Sequence, residues 1–209
     1  MGVGVLLFVA WTLWGTGFYT ADQQNRLSQE FDSAPKLTPA RTKRGPGGIE
    51  STGPPKSFSP DPGDPVFKID IPSIDVHQVV VEGVDTAHLR TGPGHYPTCR
   101  DGFDLCIEDF DNPAWPGERE RVIVSGHRTT YGAPFWDLDK LEQGDDVMVE
   151  TRWGNFVYEV TEKAVVEADS RAVVIPGDEA EMVLTTCNPK FSASQRLVVY
   201  TELDGEGSA

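Results

Sequence analysis

The chain of 209 residues is long enough for one well-buried core plus extensions. Its formal net charge is -15, and residues 1–65 balance six Lys/Arg against six Asp/Glu, so the whole surplus lies in 66–209. An acidic domain without a basic patch argues against nucleic acid and against charge-driven docking on anionic lipid, and it is compatible with a cationic or amine-bearing partner.

Residues 1–20 (MGVGVLLFVAWTLWGTGFYT) carry no charge. As a helix they would span ~30 Å, the thickness of a bilayer core, with Trp11, Trp14 and Tyr19 toward an interface. A basic leader and a small-residue cleavage site are both missing, so an uncleaved single-pass anchor is expected rather than a signal peptide. The expected localisation is the cell membrane, with the bulk of the chain extracytoplasmic. No Lys or Arg precedes the apolar run, so flanking charge gives no orientation, and a start upstream of Met1 would explain that.

Residues 21–32 are expected to continue as a short helix. Residues 33–65 hold eight of the sixteen prolines, with Gly, Ser and Thr filling much of the rest. That composition reads as a linker over 21–65. The folded domain is expected over 66–209. Val66–Ile71 alternates apolar and polar as a half-buried strand does, and Ile74–Val81 gives a second strand. Asp85 caps a helical turn to Leu89. Gly92-Pro93-Gly94-His95-Tyr96-Pro97 is a turn, with His95 expected to be structural. Arg121–Ser125 is a short buried strand, and Pro134–Leu141 suits a short helix. Strands at Val147–Thr151 and Phe156–Thr161 flank a hairpin turn at Trp153-Gly154-Asn155. Ala164–Val174 is extended, and Met182–Thr186 and Leu197–Leu203 complete about eight short strands. The expected fold is mainly β, an eight-stranded barrel with short helices.

The cysteines are Cys99, Cys106 and Cys187. An odd count outside the cytoplasm predicts one pair and one free thiol. Cys99 and Cys106 lie close together in a polar loop and are expected to pair, stabilising by roughly 2.5 kcal/mol at most on the chain-entropy model. Acidic residues 98–120 do not match a calcium-loop spacing and read as a solvated insertion. No cofactor and no metal site are expected.

Cys187 is thereby left as the free thiol. It ends the apolar run Met182-Val183-Leu184, and Arg196 opens the run Leu197–Tyr200 after a Pro-containing turn. Antiparallel pairing would set Cys187 and Arg196 face to face. A thiolate needs a nearby cation, and a leaving amine needs a proton donor. Of the four histidines, His127 alone directly follows a short apolar strand, as Cys187 does. Arg196 cannot act as an acid or base, but it can hold a developing oxyanion. The same residues also fit a core cysteine, a loop histidine and a salt-bridged arginine.

Three spaced stretches carry a resemblance: Gly92–Pro97, Gly126-His127-Arg128-Thr129-Thr130-Tyr131-Gly132-Ala133-Pro134-Phe135, and Leu184–Arg196. Together they resemble the sortases, membrane-anchored cysteine transpeptidases of Gram-positive bacteria, and most closely the class E branch of actinobacteria. The similarity runs in order over 66–203. Val183 stands where the family motif often has Thr, and the Cys-containing insertion at 98–120 is longer than the usual connection. The resemblance implies a sortase-type β-barrel with Cys187 as nucleophile, His127 as general acid/base and Arg196 as substrate and oxyanion ligand. It implies cleavage of a C-terminal Leu-Ala-x-Thr-Gly or Leu-Pro-x-Thr-Gly signal on secreted proteins between Thr and Gly. A peptidoglycan-precursor amine, or a pilin subunit in a polymerising enzyme, would then resolve the thioacyl enzyme. Thr186, Tyr96, Tyr131 and Ser194 are expected to line the groove. The Ser-x-Gly-Cys pattern of a cysteine L,D-transpeptidase and the Cys-Gly-x-Cys-Trp setting of one peptidase group are missing. A non-enzymatic tethered barrel that binds wall or protein ligands is the alternative of a different class.

Overall fold

The computed structural model describes residues 4, 15–44, 49–96, 114–170, 173 and 179–207. Its strands are β1 (Ala40–Arg44), β2 (Ile49–Gly53), β3 (Pro65–Ile71), β4 (Val76–Glu82), β5 (Gly94–His95), β6 (Arg121–Ser125), β7 (Asp146–Thr151), β8 (Asn155–Glu167), β9 (Glu181–Asn188) and β10 (Gln195–Gly207). The helices are α1 (Thr16–Ser33) and the single turn α2 (Thr86–Leu89). Eight strands close a barrel in the order β10-β8-β7-β3-β4-β5-β6-β9, while β1 and β2 pair separately. The expected mainly-β, eight-stranded barrel is therefore present.

Alternation builds the barrel wall. In β7, Val147 and Val149 point inward and are buried, whereas Asp146 and Met148 face out. The interior gathers Phe67, Ile69, Val122, Val124, Tyr158, Met182, Leu184, Leu197 and Val199. β6 and β9 are buried on both faces, because Ile123, Val183 and Val198 form a second cluster outside the barrel with Tyr96, Val166 and Tyr200 packed on it. Both strands accordingly read as near-continuous apolar runs. Asp85 caps α2 as expected, accepting from the Ala87 and His88 amides.

Three stretches differ from the expectation. Pro134–Leu141 is a chain of turns ending in one 3-10 turn, Leu138–Lys140. Its buried residues Phe135, Leu138 and Leu141 recur every three positions, which is the 3-10 period and not that of an α-helix. Phe156–Thr161 and the start of Ala164–Val174 merge into the single long strand β8, paired throughout with β10. Residues 21–65 are held to the barrel at several places. The Gln24 amide donates to Val79 O and Thr91 O and accepts from Val79 N. Arg119 N donates to Ser51 Oγ, and the Phe58 ring packs edge-on against Trp115 and Trp153. These are specific polar bonds and ring contacts, which composition does not display.

Most of the expected membrane segment and the Cys99–Cys106 pair lie outside the described residues, whereas the segment's last five residues, 16–20, begin α1 and are bonded to the barrel through Thr16 and Thr20. No helix among the described residues is long and apolar enough to cross a membrane.

Candidate active site

Two strand registers converge on Cys187. β10 and β9 are antiparallel, with Arg196 directly opposite Cys187. Directly opposed residues present their side chains on one face, so thiol and guanidinium emerge side by side. β6 and β9 are parallel, with Arg121 opposite Glu181 and Ser125 opposite Thr185, an offset of sixty. The same offset continues beyond the end of β6. Gly126 N donates to Thr185 O, Thr186 Oγ1 donates to Gly126 O at 2.7 Å, and Arg128 Nη1 donates to Asn188 Oδ1 at 2.6 Å. His127 therefore sits level with Cys187. Gly126 is required there, since a Cβ would meet the Phe135 ring at 2.6 Å.

Cys187 is half-buried and free. His127 is also half-buried, and its Nε2 is buried with no hydrogen-bond partner among the described residues. Burial, and secondarily the Arg90 guanidinium, holds its imidazole below the ordinary histidine value. The ring is therefore neutral at neutral pH and ready to accept a proton. Arg196 is half-buried and donates Nη1 to Ala193 O and Gln195 O, both at 3.0 Å. Among the described residues it forms no ion pair with a carboxylate, so its remaining donors are open to a ligand.

Of the expected groove residues, Tyr96 packs on the outer cluster beneath the site. Burial pushes its phenol up, opposed by the charge of nearby Arg196. Tyr131 lies 5.0 Å from the His127 ring, centroid to centroid, in the left-handed region at φ 51°. Arg90 covers the Tyr131 ring at 5.5 Å. Thr186 does not line a groove: it is 1% exposed, and its hydroxyl ties β9 to the residue before His127. Ser194 is exposed on the β9–β10 turn, where its amide binds Ser192 Oγ. His95 is structural, with Nδ1 at 2.8 Å from Glu82 Oε2, Nε2 at 3.0 Å from Ala114 O and its ring stacked on Trp115.

Sequence reasoning passed over Thr185, Arg90 and Arg128. Thr185 lies two residues before Cys187, on the same face, and its buried hydroxyl lacks a partner among the described residues. Nothing in a single sequence separates it from an ordinary strand threonine. Among the described residues no group of three or more His, Cys, Asp and Glu could hold a metal ion.

The Sortase domain family model matches residues 69–204. Sortase SrtE1 of Streptomyces coelicolor is 29% identical over 97% of this chain and 54% of its own length. Sortase D of Bacillus subtilis is 30% identical over 88% of this chain and 87% of its own. The chain thus spans about half the length of the first of these relatives and most of the second. Among solved structures, sortase E1 from Streptomyces coelicolor with a tripeptide in the active site aligns with a TM-score of 0.58 at 28% identity, over 71% of this chain and 93% of that one. A Clostridium perfringens sortase D5 transpeptidase aligns at 0.59 with 31% identity, over 70% of this chain and 83% of that one. A closed eight-stranded barrel with a free thiol between a level histidine and a facing arginine, matched along 69–204, places this chain in the sortase family of cysteine transpeptidases.

Proposed function

We propose that this protein cleaves a C-terminal Leu-Ala-x-Thr-Gly or Leu-Pro-x-Thr-Gly sorting signal between Thr and Gly and transfers the protein to a cell-wall amine, from a membrane anchor formed by the uncharged stretch that precedes α1. The observation that carries the chemistry is the shared level of His127, Cys187 and Arg196 at one end of the barrel. The absence of any charge before α1 supports the anchor.

The Cys187 sulfur attacks the Thr carbonyl carbon, and the thiol proton passes to neutral His127. The carbonyl oxygen becomes an oxyanion beside Arg196, whose free donors stabilise it. Collapse breaks the Thr–Gly bond, and the glycine nitrogen leaves with the proton from His127. The incoming amine then attacks the thioester carbonyl, loses a proton to His127 and releases the thiolate, which takes that proton back. The Thr185 hydroxyl, without a partner among the described residues, is available to a backbone group of the peptide lying along β9.

Incubating the protein with a sorting-signal peptide and no amine should leave an acyl adduct on Cys187, read as an intact-mass increase equal to the peptide up to Thr less one water. Cys187→Ala should show no adduct and no cleavage. An unmodified wild-type thiol across both signal classes, or full turnover by Cys187→Ala, overturns the reading.

A further inference from the structure

Arg128 is an arginine whose side chain is only 4% exposed, although it lies on a loop. A buried guanidinium is costly unless it is paired, so its partners reveal what the burial serves. Nη1 donates to Asn188 Oδ1 at 2.6 Å and approaches Cys187 O at 3.4 Å. Nη2 pairs with Asp139 Oδ1 at 3.0 Å. The residue preceding Arg128 is His127, and the residue preceding Asn188 is Cys187.

The opposite ends of the same two tripeptides are tied as well, by Thr186 Oγ1 donating to Gly126 O. Residues 126–128 and 186–188 thus form two short rails, bonded at both ends, with His127 and Cys187 in their middles. Asp139 holds the guanidinium from its far side, and Lys190 reaches Asp137 at 3.5 Å and Asp139 at 3.9 Å.

We propose that Arg128 is a positioning residue that fixes the His127 loop against the Cys187 strand end, so that the proton between thiol and imidazole has a set path. The proposal rests on Cys187 and His127 being the acid–base pair. A planar fork offers Asn188 and Asp139 a separate nitrogen each, whereas an ammonium must serve both from a single nitrogen. A misplacement of ~1 Å between reacting groups costs about 10²-fold in rate.

The test uses the full chain with Arg128→Met, Arg128→Lys and Asn188→Ala. One readout is the rate of Cys187 alkylation by iodoacetamide against pH. The other is kcat and KM on a fluorogenic sorting-signal peptide. The groups facing the pair are Arg90 and Tyr131 on His127, Arg196 opposite Cys187, and Asp139 on Arg128, with Lys190 behind it. All of them are unchanged in these variants.

In the wild type the alkylation profile should contain a step that His127→Ala removes. Arg128→Met and Asn188→Ala should lose that step, with kcat down about 10- to 100-fold and KM within about threefold. Arg128→Lys should recover part of both. If both variants keep the step and kcat within about twofold of wild type, Arg128 only packs and the proposal fails. A wild-type profile indifferent to His127→Ala also overturns it. Should Arg128→Met not fold, Asn188→Ala decides on the same criteria, since it leaves Arg128 paired with Asp139. If the steps respond as expected but no peptide is cleaved, the substrate reading falls and the brace stands.

Discussion

At the scale of single residues, the chemistry depends on what surrounds His127. Its ring is held by Tyr131, its Nε2 is shielded, and Arg90 lies over the other ring of the pair. Burial and the Arg90 charge both disfavour the imidazolium. The folded value thus lies below that of the unfolded chain, so the unfolded state takes up this proton first as pH falls. The contribution of His127 to stability is full above ~6.5 and is lost as pH drops through the folded value. Activity follows the same group, because only the neutral ring can take the thiol proton. Arg90→Gln removes one of the two influences while leaving its backbone carbonyl free to accept from Thr20 Oγ1. The acid limb of kcat/KM, which reports the free enzyme, should therefore move to higher pH. An acid limb that stays in place would show that Arg90 does not act on His127.

At the scale of elements, α1 completes the barrel where a strand runs short. β5 is two residues long and pairs with β4 only at Val81 and Glu82. Val79 would leave an amide and a carbonyl facing outward, and the Gln24 side chain satisfies both. Farther up the helix, Tyr131 N donates to Thr16 Oγ1 and Gly17 lies against Gly132, so α1 also supports the loop that carries His127. Gln24→Ala should cost roughly 1–3 kcal/mol, because it strands buried backbone groups. Arg26→Ala on the solvent face should change stability by less than about 0.5 kcal/mol, since its pair with Asp22 is exposed. Urea midpoints for the two variants test this, and equal shifts would reject the docking role of Gln24. This element also marks the limit of what the sequence displays. Strands β6, β9 and β10 are visible as apolar runs, and the Cys187–Arg196 pairing follows from one short turn. The parallel register of β6 on β9 is not visible, because no local turn sets an offset of sixty. The docked helix is hidden for a related reason: Thr16 and Thr20 end an uncharged stretch that reads as a membrane segment, and Gln24 is polar and reads as solvent-facing until its partners are known. Adjacency to Cys187 suggests that Thr186 lines the groove, but in a strand the neighbour of an outward residue points in.

At the scale of the whole molecule, the charge is unevenly placed. The surplus of -15 lies in the part of the chain that holds the barrel. Among the described residues, two acidic side chains near the site are paired, Asp139 with Arg128 and Asp137 with Lys140 and Lys190. The net field felt by an approaching acceptor comes from the acidic surplus of the domain as a whole. Such a field raises the local concentration of cations and does nothing for neutral groups. An amine acceptor carrying an extra positive charge should accordingly be used faster at low ionic strength. With glycyl-lysine amide as acceptor, the second-order rate of thioacyl resolution should fall severalfold as salt rises from ~0.02 to ~0.5 M, where screening shrinks to a few ångströms. With glycyl-serine amide, which lacks the side-chain cation, the fall should be much smaller. Hydrolysis by water in the absence of either amine provides the baseline, because water carries no charge to steer. Parallel salt dependence for the two acceptors would mean that the acidic surface plays no part in acceptor capture and serves only to keep the domain soluble.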